Sequence, residues 1–384
     1  MKIAFLTPEY PHQLTGNAGG IGTSIKNLAE SLTVLGHEVR ILVYGQKKDA
    51  VFEEEGIVVQ QIKNVKIKGL SWYFTRKKLQ ALINDLFHQG LIDIVEAPDW
   101  TGITSFVQPK QCPIVIRLNG SDTYFCHLEH RKVKWVNRYH EKKALQQANG
   151  HIAVSKFTAD QTNSLFGLQL PFAIIPNGIN PKKFHPESAK SKIPNTILYF
   201  GTLIRKKGLL ELPLIFNRVV TKNPNAQLIL VGRDASDIAT GSPSTWQLMQ
   251  QLFTPKALKQ VKYLGGVSYD EVRWHIANAS ICVFPSFAEA LPVSWLEAMA
   301  MQKAIVASDI GWAPEMIATN EEGVLVHPKN HKAYANAILN LLENESLNTT
   351  FGQKAAQKIE NVFTSALIAK QSIAFYQTII AHKK

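Results

Sequence analysis

The stretch Ile281–Met301, Ile-Cys-Val-Phe-Pro-Ser-Phe-Ala-Glu-Ala-Leu-Pro-Val-Ser-Trp-Leu-Glu-Ala-Met-Ala-Met, constrains the fold more than any other part of the chain. Ile281–Phe284 is short, wholly apolar and β-rich, which suits a strand buried on both faces of a parallel sheet. Pro285 and Ser286 end it, and Pro292 fits the first turn of a helix, where a missing N–H costs nothing. Within that helix Val293, Leu296, Glu297 and Ala300 fall at i, i+3, i+4 and i+7, so Glu297 brings a carboxylate onto the core-facing stripe. Trp295, Ala298, Met299 and Met301 make the rest of the helix almost as apolar. A carboxylate in such a setting is expensive unless it is paired or hydrogen-bonded. The N–H groups of residues 290–293 make the helix start a site for a phosphate, and Glu289 stands just ahead of it. The plainer alternative is that Glu297 pairs with a neighbouring base while Glu289 favours the helix dipole.

At 384 residues the chain exceeds what one hydrophobic core usually serves, so two domains are expected. A content of 45% hydrophobic and 19% charged residues describes an ordinary globular protein. Cys112, Cys126 and Cys282 are scattered, without metal-ligand spacing, and read as reduced thiols in a cytoplasmic protein. The opening Met1–Pro8 is too short an apolar run for a signal peptide, and no apolar stretch reaches the roughly 18 residues that span a bilayer. The net charge of +12, shared by both halves, favours polyanions, anionic lipid surfaces or phosphorylated small molecules. No zinc finger, RNP-type aromatic motif or basic-region heptad is present, so nucleic acid is not expected.

Other short apolar runs repeat the pattern. Ile3–Leu6 leads into a glycine-rich turn through Gly19, Gly20 and Gly22, and then a helix from Thr23 to a C-cap at Gly36. With Val39–Tyr44 as the next strand, this is a βαβ unit. Ile92–Val95 and Ile114–Leu118 each end in polar clusters, Glu96-Ala-Pro-Asp99-Trp100 and Asn119-Gly-Ser-Asp122, where parallel sheets place ligands. Ile152–Val154 and Ala173–Ile175 complete this half. A proline- and lysine-rich segment, 176–194, carries the linker. A second series starts at Thr196–Phe200, followed by Gly201-Thr-Leu-Ile-Arg-Lys-Lys-Gly208, whose adjacent cations past a strand look like an anion clamp. Gln227–Val231, Val261–Leu264, Ile281–Phe284 and Ala304–Ser308 follow, and Leu367–Ile380 is a closing amphipathic helix. Two stretches, Lys63–Lys78 and Arg131–Lys143, interleave bases with aromatic residues and fit an anionic membrane surface; solvated helix faces are the plain alternative.

Glu289 and Glu297, with seven residues between them in Pro-Ser-x-x-Glu…Leu-Glu-Ala-Met-Ala, resemble the E-x7-E signature of retaining GT-B glycosyltransferases of the family 4 type. Ordered matches support the resemblance along the chain: Gly19-Gly20, Glu96–Asp99, Ala153–Lys156, Ile175–Gly178, Gly201–Gly208, Val231-Gly232, and Ala307–Asp309 with Glu315. The resemblance implies an α/β fold of two Rossmann-like doubly wound parallel-sheet domains facing across a cleft. The expected boundaries are an acceptor domain at 1–185, a linker at 186–195, a donor nucleotide-sugar domain at 196–365 and a C-terminal helix at 366–384 crossing back.

The resemblance also implies roles. Glu297 would bind the donor ribose, Glu289 the donor sugar with Ala290, Leu291, Pro292 and Val293, and Lys207 the diphosphate. The family arginine directly after Gly201 is here Thr202, with Arg205 as its substitute. Gly19 and Gly20 would approach phosphate and sugar, and Arg233 and Gly265 would lie near the nucleotide. Glu9, Tyr10, Asp99, Trp100 and Asp122 would face the acceptor. Many relatives carry a histidine where this chain has Asn119, which can donate a hydrogen bond but cannot take up a proton. The expected reaction is sugar transfer from a UDP- or GDP-sugar to a hydroxyl of a glycan, lipid-linked or small-molecule acceptor, with no cofactor and, lacking Asp-x-Asp, no metal. A nucleotide-sugar epimerase or hydrolase, and a non-catalytic sugar-nucleotide-binding protein, are the alternatives. A cytoplasmic location, peripheral at the inner membrane face, is expected.

Overall fold

Two series of strand and helix alternate along the chain, and each closes its own sheet. The structure, a computed structural model, describes residues 1–16, 19–185 and 193–383. One unit comprises Met1–Gly178 with Thr364–Lys384, and the other Ile179–Phe363.

Among the described residues, the first unit carries an eight-stranded sheet: β1 (Lys2–Thr7), β2 (Glu38–Gln46), β3 (Ala50–Glu54), β4 (Ile57–Lys63), β5 (Ile94–Pro98), β6 (Ile114–Leu118), β7 (Gly150–Ala153) and β8 (Ala173–Ile174). Their order is β3-β4-β2-β1-β5-β6-β7-β8, parallel throughout except for β3 on β4. Helices α1 (Gly20–Val34), α2 (Ser71–His88), α3 (Asp122–Leu128), α4 (Trp135–Gln147) and α5 (Lys156–Phe166) connect them. The apolar stripe Ile25, Leu28, Ala29 and Leu32 of α1 is buried against Ile3, Phe5, Val39 and Ile41, as the helical period requires.

The second unit carries, among its described residues, a six-stranded all-parallel sheet: β9 (Thr196–Phe200), β10 (Gln227–Val231), β11 (Val261–Tyr263), β12 (Ile281–Phe284), β13 (Ile305–Ala307) and β14 (Gly323–Leu325). The order is β11-β10-β9-β12-β13-β14, a doubly wound sheet whose direction of winding reverses between β9 and β12. Its helices are α6 (Leu212–Lys222), α7 (Thr245–Leu252), α8 (Pro255–Leu258), α9 (Tyr269–Asn278), α10 (Val293–Ala300), α11 (Ala313–Met316), α12 (His331–Glu343) and α13 (Glu345–Lys358). All of β12 is buried, and only Ser294 of α10 is not.

The last helix, α14 (Ser365–Lys383), belongs to the first unit. A buried charge network holds it there. Arg117 on β6 forks onto Glu96 on β5, Nε to Oε1 at 2.8 Å and Nη2 to Oε2 at 3.1 Å. The same guanidinium donates to Ile175 O at 2.9 Å and to Ser372 Oγ at 3.0 Å, and the Tyr376 hydroxyl donates to Glu96 Oε2 at 2.5 Å.

Several expectations shift. Glu96 is not in a ligand loop: β5 runs on to Pro98, so Glu96 is an interior strand residue serving α14. The chain divides at Gly178, inside the proline- and lysine-rich segment 176–194 and ahead of the boundary expected at 186–195, of which 186–192 lie outside the described residues. The helix expected from Thr23 begins at Gly20, and Pro292 is the N-cap of α10. Strands β3 and β4 had no counterpart in the sequence reading. Their hairpin turns on Glu55-Gly56, both at positive φ (51° and 77°), a two-residue loop type that the acidic edge strand β3 disguised.

Removing one partner of a fully buried ion pair strands the other charge, at about 3–5 kcal/mol. Arg117→Ala should therefore lower the urea midpoint by that equivalent, and Tyr376→Phe by about 1–3 kcal/mol through its lost bond to a carboxylate. An unchanged midpoint for Arg117→Ala would mean that packing alone secures α14.

Candidate functional site

In the second unit the loops after β9 and β12 leave the sheet side by side, at the carboxyl ends where the winding reverses. Such a switch point is where doubly wound sheets bind ligands. Gly201 N–H donates to Val231 O at 2.9 Å, and Gly232 N–H to Gly265 O at 2.7 Å, so the expected glycines form one ledge across three strand ends. At Gly232 a Cβ would sit 1.9 Å from Gly201 O, so no other residue permits this contact. Thr202 is fixed through its carbonyl, which accepts from the Tyr199 hydroxyl at 3.0 Å. Arg233 is exposed, and its carbonyl accepts from Leu203 N–H at 2.8 Å.

Arg205–Lys207 form a single 3-10 turn ended by Gly208 at φ +70°. A Cβ at Gly208 would fall 1.8 Å from Pro285 O. With the two backbones this close, Lys206 O accepts from Phe287 N–H at 2.8 Å and Ala288 N–H at 3.3 Å. The register carries Lys207 to Glu289: Nζ lies 3.1 Å from Oε1, and Ser286 Oγ donates to the same oxygen at 3.2 Å. Ala290, Leu291, Pro292 and Val293 are all buried and lead into α10, whose N-cap, Pro292, supplies no side-chain hydrogen bond.

Glu297, 5% exposed in the second turn of α10, accepts from the Tyr269 hydroxyl. Burial pushes its carboxyl up to about 7, against the Tyr269 hydrogen bond and the charge of Lys207. Tyr269 is a site residue that the sequence reading missed. It opens α9 behind a capping box, Ser268 with Glu271, which is visible in the sequence as Ser-Tyr-Asp-Glu; its ring stands edge-on to Phe184 at 5.4 Å. Arg205 does not join this group. It forks onto Asp237 through two 2.7 Å hydrogen bonds, and this partner holds Asp237 down at about 2. Its charge is thus matched within the fold, and Lys207 is the cation against Glu289.

The first unit gathers its expected residues unevenly. Tyr10 is fully buried in the core, with no partner for its hydroxyl among the described residues and its pKa raised by burial, so it is not exposed to an acceptor. Glu9 accepts from Gly22 N–H at 2.9 Å and so caps α1, and a Cβ on Gly19 would meet its Oε1 at 3.2 Å. Gly20 has open space around it. Past β5 and β6, Asn119 N–H donates to Asp99 Oδ1 at 2.9 Å, while among the described residues the Asn119 side chain donates to Arg117 O at 3.4 Å. Asp99 is buried, which pushes its carboxyl up to about 7.

Glu141 on α4 was also missed. It accepts from Thr101 N–H (3.2 Å), Asp122 N–H (2.9 Å), Thr123 N–H (3.2 Å) and Thr123 Oγ1 (2.5 Å), and burial pushes it too up to about 7. Glu141 thereby fixes the start of α3 to the turn at Trp100, whose ring lies 6.5 Å from that of Phe125. Asp122 in turn accepts from Asn137 Nδ2 at 2.9 Å.

Two doubly wound parallel-sheet units, one with a lysine–glutamate loop pair at its switch point, define a GT-B-type protein. The chain belongs to the family 4 type of GT-B glycosyltransferases: the model described as Glycosyltransferase Family 4 matches residues 18–183, and that described as Glycosyl transferases group 1 matches residues 181–358. An uncharacterized glycosyltransferase of Methanocaldococcus jannaschii, MJ1607, is 25% identical over 98% of each chain. The sucrose-phosphate synthase of Thermosynechococcus elongatus superposes with a TM-score of 0.79 at 20% identity, covering 100% of both chains. Anabaena HepE, solved in complex with UDP, does so with a TM-score of 0.75 at 19% identity, covering 98% of this chain and 100% of its own. The protein is a glycosyltransferase.

Glu297, Asp99 and Glu141 all sit near 7 in the fold, above the ordinary carboxyl range of an unfolded chain. The folded state binds more protons between about pH 4.5 and 7, so this stabilisation is complete below about 4.5 and is lost as pH rises through 7. The melting temperature of the ligand-free protein should fall from pH 5 to pH 8. Glu297→Gln should flatten that slope, and an unchanged slope would show that Glu297 is ionised throughout.

Proposed function

We propose that this glycosyltransferase moves a sugar from a UDP- or GDP-sugar to an acceptor hydroxyl with retention of anomeric configuration and without a divalent metal, in glycan, polysaccharide or glycolipid synthesis. The contact of Lys207 with Glu289 at the start of α10 carries this reading. The second unit binds the donor. Lys207 and the first-turn amides of α10 stabilise the diphosphate as charge builds on it, the work otherwise done by a metal. Glu289 holds the donor sugar, and Glu297 takes the ribose hydroxyls. The oxocarbenium-like sugar is attacked by the acceptor hydroxyl on the face the diphosphate leaves; the hydroxyl proton passes to the departing phosphate, and the configuration is kept.

Asn119, with no proton to exchange, acts by position. The structural neighbour HepE has been solved with UDP-glucose, which supports a uridine donor. The acceptor is a glycan, lipid-linked or small molecule bound by the first unit, which works in the cytoplasm at an anionic membrane surface.

Glu289→Ala should abolish transfer, assayed in EDTA, while leaving nucleotide binding nearly intact by calorimetry. Full turnover by that variant on a validated acceptor would overturn the assignment. The ribose must also displace the Tyr269 hydroxyl from Glu297. Tyr269→Phe removes this competitor, a hydrogen bond to a carboxylate worth about 1.5–3 kcal/mol, so UDP affinity should rise on the order of tenfold. Weaker binding would instead make Tyr269 a direct ligand contact.

A further inference from the structure

The two basic, aromatic stretches of the first unit are far apart in sequence, yet the structure brings them to a common residue, Phe106. Its ring lies 5.6 Å from Trp72 and 6.4 Å from Tyr73 on α2, and 6.4 Å from Tyr139 on α4. Lys143 Nζ stands 4.1 Å from the centre of the same ring, and Lys77 Nζ donates to Phe106 O at 3.2 Å. Phe106 does this at φ +62°, a left-handed conformation that costs a bulky residue energy and persists where the surroundings impose it. The seam between α2 and α4 is therefore a built surface. Arg76 anchors it from beneath, donating to Ser105 Oγ at 3.0 Å and Gly102 O at 3.2 Å.

Around this seam, apolar side chains face water where solubility would disfavour them. Trp135 is 77% exposed, Leu70 49%, Trp72 42% and Val136 41%. The same two stretches carry the exposed Lys66, Lys68, Lys132 and Lys134. The stretch 63–78 has no acidic residue, and 131–143 has only Glu141, which is buried on the start of α3. Large apolar exposure marks a contact surface. Tryptophan and tyrosine mixed with unopposed lysines is the composition that seats at an anionic headgroup layer, rings at the acyl boundary and ammonium groups among the phosphates. No described helix is long and apolar enough to cross a membrane, so contact through this face would be at the surface.

We infer that the Phe106-centred face of α2 and α4 docks the first unit on an anionic lipid bilayer. This gives a place to the membrane partner proposed above and rests on that reading, not on the donor chemistry. The test is cosedimentation of the full-length protein with vesicles of phosphatidylcholine, with and without phosphatidylglycerol. The protein should pellet with the anionic vesicles alone, and high salt should release it. Lys132→Glu/Lys134→Glu should weaken binding on the order of tenfold or more, and Trp135→Ser/Val136→Ser should weaken it independently of salt. Both pairs are exposed, so melting temperatures should match the wild type, and transfer to a water-soluble acceptor should be retained. Failure of that transfer in the wild type, with vesicle binding intact, would count against the reaction proposed and not against this face. Equal pelleting with neutral vesicles, variants that bind like wild type, or capture by a soluble anionic polysaccharide without any vesicle binding would overturn the inference.

Discussion

The second unit depends on one close approach, Gly208 against Pro285. A Cβ at that glycine would lie 1.8 Å from the proline carbonyl oxygen, so any substitution forces the β9 and β12 loops apart. Their separation would break the two amide contacts to Lys206 O and withdraw Lys207 from Glu289. The position of the Lys207 cation is thus set by backbone packing several atoms away from it. Side-chain entropy is the reason such an arrangement is needed: a lysine has about 2 kcal/mol of rotamer freedom to lose, and a rigid origin leaves less of the search to the side chain.

Each unit buries carboxylates, and the two solve the cost differently. In the first, Glu96 meets a forked arginine and a tyrosine hydroxyl, and Glu141 meets amides and a hydroxyl from two turns. Both are consumed by the architecture, fixing α14 and α3. Glu297 has less: its one hydrogen-bond partner among the described residues is Tyr269, with Lys207 acting on it through charge. A buried acid left underserved is a poor structural element and a good receptor for hydroxyl groups, since a ligand that supplies donors recovers what burial took away.

Periodicity made the alternation of strand and helix legible, because strands buried on both faces are unbroken apolar runs and α1 and α10 carry helical stripes. It could not show Lys207 against Glu289, which arises from the spacing of two loops, although the glycines at 201 and 208 marked the first of them. Arg205 illustrates the limit. A cation past a strand reads equally as an anion clamp or as a structural partner, and Asp237, the partner Arg205 takes in the fold, lies in a loop with no periodic signal. Tyr10 failed for a related reason: it follows a strand as a site residue would, yet the chain turns it into the core. Strand β5 ran three residues beyond its apolar stretch because Arg117 compensates Glu96, and that pairing between neighbouring strands has no sequence-local trace.

The two switch points also differ in a way that separates their tasks. At the first, the start of α1 already has a carboxylate, Glu9, on Gly22 N–H, and no lysine is placed beside it among the described hydrogen bonds and ion pairs. At the second, the N-cap of α10 is Pro292, which has no capping side chain, and Lys207 pairs with Glu289 at its approach. A helix start attracts anions through unsatisfied N–H groups and the macrodipole, each worth up to about 1 kcal/mol per interaction near the surface. Where a fixed carboxylate fills that role, a second anion is repelled unless a cation stands beside it. The two helix starts therefore differ in what stands beside them: a carboxylate, Glu9, on Gly22 N–H at the first, and a carboxylate paired with a lysine, Glu289 with Lys207, at the second, and the added cation is what favours an anion there.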